Sequence, residues 1–116
     1  MEGRVLEIYT RYVEYIKELI PLEDEEGYLK AVIHFHDGTN LRVNESWEAN
    51  QLIEYSYYWL TRHNQLKIGW DNSPHHRKLE NFPHHKHVTH HTNLQPSDET
   101  TLDAVMKIVT AEMKQQ

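Results

Sequence analysis

The side-chain pattern between residues 29 and 70 leaves this chain few architectures. Leu29, Ala31, Ile33 and Phe35 alternate with Lys30, Val32, His34 and His36, the two-residue period of a strand with one buried face. Asp37-Gly38 then supplies a tight turn, because glycine accepts the positive φ such turns need. A second strand is expected over about 39–45, with Leu41 and Val43 on one face. A third is expected over about 51–60, with Ile53, Tyr55, Tyr57 and Trp59 on one face and Glu54, Ser56 and Tyr58 on the other. After the polar turn Arg62-His63-Asn64, Leu66, Ile68 and Trp70 share a face of a fourth. Connections this short join antiparallel neighbours, so the four strands form a meander.

Helical periodicity flanks the strands. Val5, Ile8, Tyr9, Tyr12, Val13, Ile16, Leu19 and Ile20 recur every three or four residues and predict a helix over 4–20, stopped by Pro21 and the acidic turn that follows. Near the other end Ser97 is placed as N-cap, Asp98 and Glu99 suit the first-turn dipole, and Leu102, Val105, Met106, Val109 and Met113 share a face. The expected order is α-β-β-β-β-α: one α+β domain over residues 1–116, with two layers and no internal repeat. The chain has no cysteine, which excludes disulfides and thiolate zinc sites and fits a reducing cytoplasm. Met1-Glu2-Gly3-Arg4-Val5 begins a charged amphipathic stretch rather than a signal peptide, and no apolar run approaches transmembrane length. A soluble cytoplasmic protein with no membrane partner is expected.

Residues 71–96 carry Pro74, Pro83, Pro96 and seven of the ten histidines, and read as a long loop with a short extended piece around 84–88. Loops of this length are functional or disordered, and the mix of aromatic, proline and histidine side chains favours function. An internal cluster interleaved with prolines is not a tag. Residues 62–91 sum to +3 while the remainder sums to −9, within a formal charge of −6. The overall charge argues against nucleic-acid binding across the whole surface. The asymmetry suits a local anionic ligand on one face and a basic partner on another, or simply an ordinary solvated acidic surface.

Histidines can exchange protons, hold a metal, or become cationic under a phosphate. If 84–88 is extended, His84 and Lys86 point one way while His85 and His87 point the other. Cleaving RNA without a metal needs a base for the 2′-hydroxyl, an acid for the leaving 5′-oxygen and a cation for the phosphorane; two histidines and a lysine or arginine fill these roles. Zinc is the rival: His85 and His87 form a His-x-His pair that Asp71, His75 or His76 could complete. There is, however, no His-Glu-x-x-His helix and no cysteine pair. The cluster could also be incidental. Asp71 or Asn72 closes a turn, or Asp71 orients a nearby histidine; Gly69 within a strand marks a bulge or a close backbone approach. The aromatic run Tyr55-Ser56-Tyr57-Tyr58-Trp59 packs a core or stacks on bases, with Tyr58 on the more polar side.

Tyr55-Ser56-Tyr57-Tyr58-Trp59, Trp70-Asp71-Asn72-Ser73-Pro74-His75-His76 and Phe82-Pro83-His84-His85-Lys86-His87 resemble the TumE-like toxins of prokaryotic toxin–antitoxin systems. The match spans about 41–88 and extends weakly into the helix over 102–108. Tyr58 stands where that family commonly has histidine, and Ser73 where it has alanine. Tyr58 therefore removes one candidate catalytic histidine, or shows that the position is not catalytic. The resemblance implies a toxin encoded beside an antitoxin that carries a DNA-binding domain. The α-β-β-β-β-α order is also similar to small ribonuclease toxins, an analogy of fold that does not fix function.

The expectation is therefore a metal-independent endoribonuclease toxin with no cofactor, giving 2′,3′-cyclic phosphate ends and a bell-shaped pH–rate profile. His85 and His87 are the expected acid–base pair, Lys86 the phosphate contact and Asp71 the orienting carboxylate, with His75, His76 and His84 in reserve. Trp70, Asn72, Arg77 and Tyr58 are expected to bind substrate, and His90 and His91 stand aside. The acidic remainder suits a basic antitoxin segment, and exposed aromatic surface allows a homodimer. The alternatives are a non-catalytic or metal-dependent binding or regulatory module, with zinc or another divalent metal at the histidine cluster, or a toxin with different chemistry.

Overall fold

The computed structural model describes residues 3–73 and 82–115. The first helix is short: α1 spans Arg4–Arg11 and buries Ile8. The chain then turns, with Tyr15 and Ile16 both donating to the Tyr12 carbonyl, and enters strand β1 (Ile16–Glu25). The helix expected over 4–20 is thus half helix and half strand. Ile16, Leu19 and Ile20 fit a helical stripe, but here β1 pairs antiparallel with β2 (Tyr28–Phe35), from Ile16 opposite Phe35 to Glu25 opposite Tyr28. This pairing satisfies one edge of β2, which no side-chain pattern records. Pro21 does not stop a helix; it sits in an edge strand, where its missing N–H can face solvent at no cost.

Strands β3 (Asn40–Glu48), β4 (Gln51–Leu60) and β5 (Leu66–Asp71) follow the expected meander. The sheet does not end there. β6 (His85–Val88) adds to β5 and β7 (Leu94–Pro96) adds to β6, giving seven strands in the order β1-β2-β3-β4-β5-β6-β7, each antiparallel to the next. Four strands were expected. The short extended piece expected around 84–88 is β6, but its pairing with β5 and the addition of β7 were not expected; both strands form because the edge of β5 offers unpaired backbone groups.

Helix α2 (Leu102–Lys114) closes the domain. Its N-cap is Thr101, whose hydroxyl accepts from Ala104 N, and not Ser97. Ser97 is buried, and its Oγ accepts from Glu99 N at 3.2 Å. Leu102, Val105, Met106 and Val109 join Ile8 and the inward residues of the sheet (Leu29, Ala31, Ile33, Leu41, Val43, Tyr55, Tyr57, Trp59 and Trp70) in one core. Ile53, expected on that face, is exposed near the start of β4. Both helices therefore pack on one sheet face. Lys30, Val32, Arg42, Asn44, Ser56 and Tyr58 alternate with the core residues and turn the other way, and none is buried. The result is a two-layer α+β domain with one polar sheet face. No described helix is long and apolar enough to cross a membrane.

Candidate active site on the polar sheet face

Register places the chemistry. Ser56 lies opposite Asp71, and Asp71 opposite His85; in the next row Arg42 lies opposite Tyr58, Tyr58 opposite Gly69, and Gly69 opposite His87. Residues in register share a face, so both rows project away from the helices. The expected split within 84–88 is present. His84 and Lys86 turn to the helix side, where His84 Nδ1 lies 3.0 Å from the Tyr55 hydroxyl and Lys86 Nζ lies 3.1 Å from Glu99 Oε1.

Gly69 marks a close approach, and what approaches is a side chain. A Cβ at Gly69 would stand 2.3 Å from the Tyr58 ring, so the ring lies across the glycine. That position lets the Tyr58 hydroxyl donate to Asp71 Oδ2 at 3.0 Å. Burial, then the neighbouring Asp71 charge and its hydrogen bond, raise the Tyr58 hydroxyl above its ordinary range, so it remains a proton-bearing phenol.

Asp71, only 7% exposed, is the centre. Its Oδ1 lies 2.7 Å from His85 Nε2 and accepts from Ser73 N at 3.0 Å. Its Oδ2 lies 3.5 Å from His87 Nε2. Each imidazole is also held from behind: His85 Nδ1 is 3.0 Å from the Pro83 carbonyl and His87 Nδ1 is 2.7 Å from the His91 carbonyl. A carbonyl can only accept, so each Nδ1 carries its hydrogen and each Nε2 is aimed at the carboxylate. At 2.7 Å, His85 Nε2 and Asp71 Oδ1 are within hydrogen-bond distance, whereas His87 Nε2, at 3.5 Å, is held less closely. His85 is 3% exposed, whereas His87 is only partly buried and meets His85 edge-on at 5.2 Å. The donor atoms of Asp71, His85 and His87 all lie within 4.8 Å of one another, close enough to hold a metal ion. A cavity of about 350 Å³, lined in part by Asn44, Ser56, Tyr58, Asp71 and Ser73, opens beside them.

Other expected site residues lie elsewhere. Trp70 is fully buried in the core and donates to Glu99 Oε1 at 3.0 Å. Asn72 extends the sheet, accepting from Tyr55 N and donating to the Ile53 carbonyl, both at 2.9 Å. His75, His76 and Arg77 lie outside the described residues. Sequence reasoning missed three features. Exposed Arg42, opposite Tyr58, makes no ion pair among the described residues, and register could have found it. The carbonyls of Pro83 and His91 orient both imidazoles, and no side-chain pattern reveals a carbonyl. Glu99 anchors Lys86 and Trp70 on the core side.

Burial alone would raise the Glu99 carboxyl, but hydrogen bonds from Trp70 and Lys86 outweigh it and hold the group below its ordinary range. A folded-state value below the unfolded one contributes stability above the unfolded value, near 4.3, that is lost as pH falls through the folded one. Glu99→Gln should therefore flatten the stability–pH curve below about pH 5. Denaturant midpoints measured between pH 3 and 7 check this; an acid slope as steep as wild type would show that the carboxylate is not stabilised there.

The family model described as Toxin TumE matches residues 6–116. No curated protein matches the chain, and no solved structure does.

Proposed function

We propose that this chain, which belongs to the TumE toxin family and is the toxin component of a toxin–antitoxin system, is an endoribonuclease that works without a metal. The observation that carries this reading is one buried carboxylate bracketed by two imidazoles: Asp71 sits 2.7 Å from His85 and 3.5 Å from His87. Such a set supplies a base and an acid side by side. His87 Nε2, on a partly accessible ring, takes the proton of the 2′-hydroxyl. The 2′-oxygen bonds to phosphorus, the bond from phosphorus to the 5′-oxygen breaks, and that oxygen takes up a proton from His85, the ring that Asp71 orients. The products are a 2′,3′-cyclic phosphate and a 5′-hydroxyl.

Arg42, exposed on the same sheet face but three strands from His87, is placed to hold the RNA backbone rather than the phosphorane itself. Lys86 is held to Glu99 on the opposite face, so its part is to fix β6 against the segment leading into α2. His84 faces Tyr55 and orients nothing in the pair. Tyr58, where the family commonly has histidine, touches Asp71, which supports counting position 58 in the proposed site. The cognate antitoxin meets an acidic chain whose exposed hairpin end carries Glu23, Asp24, Glu25 and Glu26, a surface suited to a basic segment.

Metal-stripped protein incubated with RNA in EDTA should yield cyclic-phosphate ends. His87→Ala and Asp71→Asn should each slow cleavage by about 10²–10⁴-fold while circular dichroism stays unchanged. Cleavage by His87→Ala at the wild-type rate rejects the assignment. A second reading, metal-activated hydrolysis, is favoured by the three converging donor atoms of Asp71, His85 and His87, and activity that returns only with zinc or manganese would select it.

A further inference from the structure

We propose that Asp71, His85 and His87 form a binding site for a zinc-class divalent cation, and that the bound cation switches off the proton chemistry of these residues. The second half rests on the ribonuclease reading; the first half does not.

A divalent transition metal needs neutral imidazole lone pairs and a carboxylate converging from rigid positions. His85 and His87 alternate on one short strand, and Asp71 faces His85 across the adjoining one, so backbone pairing fixes all three origins. The tautomers are fixed independently. Hydrogen bonds from Nδ1 to the Pro83 and His91 carbonyls turn Nε2 of both rings toward Asp71, so Nε2 is the atom each ring would offer a metal. A carbonyl behind each ring is the support that metal-binding histidines use. Asp71 has its own support, from Ser73 N on one oxygen and the Tyr58 hydroxyl on the other.

The spacing fits with small adjustment. Zinc bonds of about 2.0–2.1 Å place tetrahedral ligands roughly 3.3 Å apart. Asp71 Oδ2 and His87 Nε2 already stand 3.5 Å apart, and no pair in the set exceeds 4.8 Å. The 2.7 Å contact between Asp71 and His85 would open by about half an ångström to admit the ion. Two imidazoles and one carboxylate select zinc, copper or nickel over magnesium or calcium, which prefer oxygen ligands. Asp71 also lines the cavity beside Ser56 and Asn44, from which water could complete the coordination. An ion there takes the His87 lone pair that removes the 2′-hydroxyl proton and displaces the proton held by His85. Occupancy and cleavage therefore exclude each other.

A chain with ten histidines also binds metal loosely at its surface, so the test reads the tightest site. Metal-free protein is titrated with Co(II), followed by visible absorption, and with Zn(II), followed by calorimetry. One tight site per chain is expected, weakened by about tenfold or more in Asp71→Asn and His87→Asn and unchanged in His90→Asn. In case the substituted chains fail to fold, nitrogen-15 spectra of wild-type protein give a second reading: the Nε2 signals of His85 and His87 should shift on adding Zn(II) while both Nδ1 stay protonated. A tight site lost in His90→Asn, or Nε2 signals that do not move, overturns the metal site. Zinc filling the cluster without slowing RNA cleavage in the same sample overturns the inhibitory half. If the cluster binds as expected but no RNA is cut with or without EDTA, the metal site stands and the ribonuclease reading falls.

Discussion

Arg4→Ala should cost the domain about 3–5 kcal/mol, the penalty for stranding a buried carboxylate without its partner. The carboxylate is Glu45, 1% exposed, on the core face of β3. Arg4 approaches it from the first residue of α1 with two hydrogen bonds, Nε to Oε1 at 2.9 Å and Nη2 to Oε2 at 2.8 Å. Tyr57 donates to Oε2 at 2.6 Å and Trp47 to Oε1 at 3.2 Å, so the partners form one network. Burial works against the Arg4 charge, but Glu45 outweighs it and raises the guanidinium above its ordinary range. An eight-residue helix cannot hold itself in water, so this pair also ties α1 to the sheet. At roughly 4 °C per kcal/mol for a domain of this size, the melting temperature should fall by about 12–20 °C. Arg4→Lys keeps the charge but not the two-pronged geometry, and should recover only part of the loss. Glu45→Gln in the Arg4→Ala background should recover some as well, because the stranded charge is gone. Thermal and denaturant melts of the four proteins decide; a loss below about 1 kcal/mol for Arg4→Ala would show that the pair does not hold the helix.

Position in the sheet explains what the sequence could reveal. β2 through β5 have one face on the core and one outside, so their side chains alternate, and Gly38 at φ 91° turns the chain between β2 and β3 as its dipeptide indicates. The edge strands obey different constraints. β1 is exposed along most of its length, so its apolar residues need not alternate, and a helical period fits them as well. β6 owes its place to hydrogen bonds with β5, and backbone pairing leaves no mark on side-chain order. The candidate site divides in the same way. Two-residue alternation separates His85 and His87 from His84 and Lys86, and the structure shows that separation. The contact of Tyr58 with Asp71 follows only from the register between β4 and β5, and the carbonyls of Pro83 and His91 follow only from the turns around β6.

Gly69→Ala should disturb the site more than its single added carbon suggests. The new Cβ would fall 2.3 Å from two carbons of the Tyr58 ring, well inside contact distance, and β5 is paired on both sides and cannot retreat. The ring must swing away, taking its hydroxyl off Asp71 Oδ2. Overpacking of this kind costs about 1–3 kcal/mol. Losing the hydroxyl alone, in Tyr58→Phe, should cost only about 1 kcal/mol. The two causes separate in a double-mutant cycle. Once Tyr58→Ala has removed the ring, Gly69→Ala meets only Leu66 Cδ1 at 3.4 Å, an ordinary contact, so the double variant should be about as stable as Tyr58→Ala alone. Additive losses would place the clash elsewhere. Activity should follow the same cycle, because the carboxylate between His85 and His87 is steered by the hydroxyl that Gly69 admits. Gly69→Ala and Tyr58→Phe should thus impair RNA cleavage alike even though they differ in stability. Cleavage that tracks stability instead of the Tyr58–Asp71 contact would remove Tyr58 from the site.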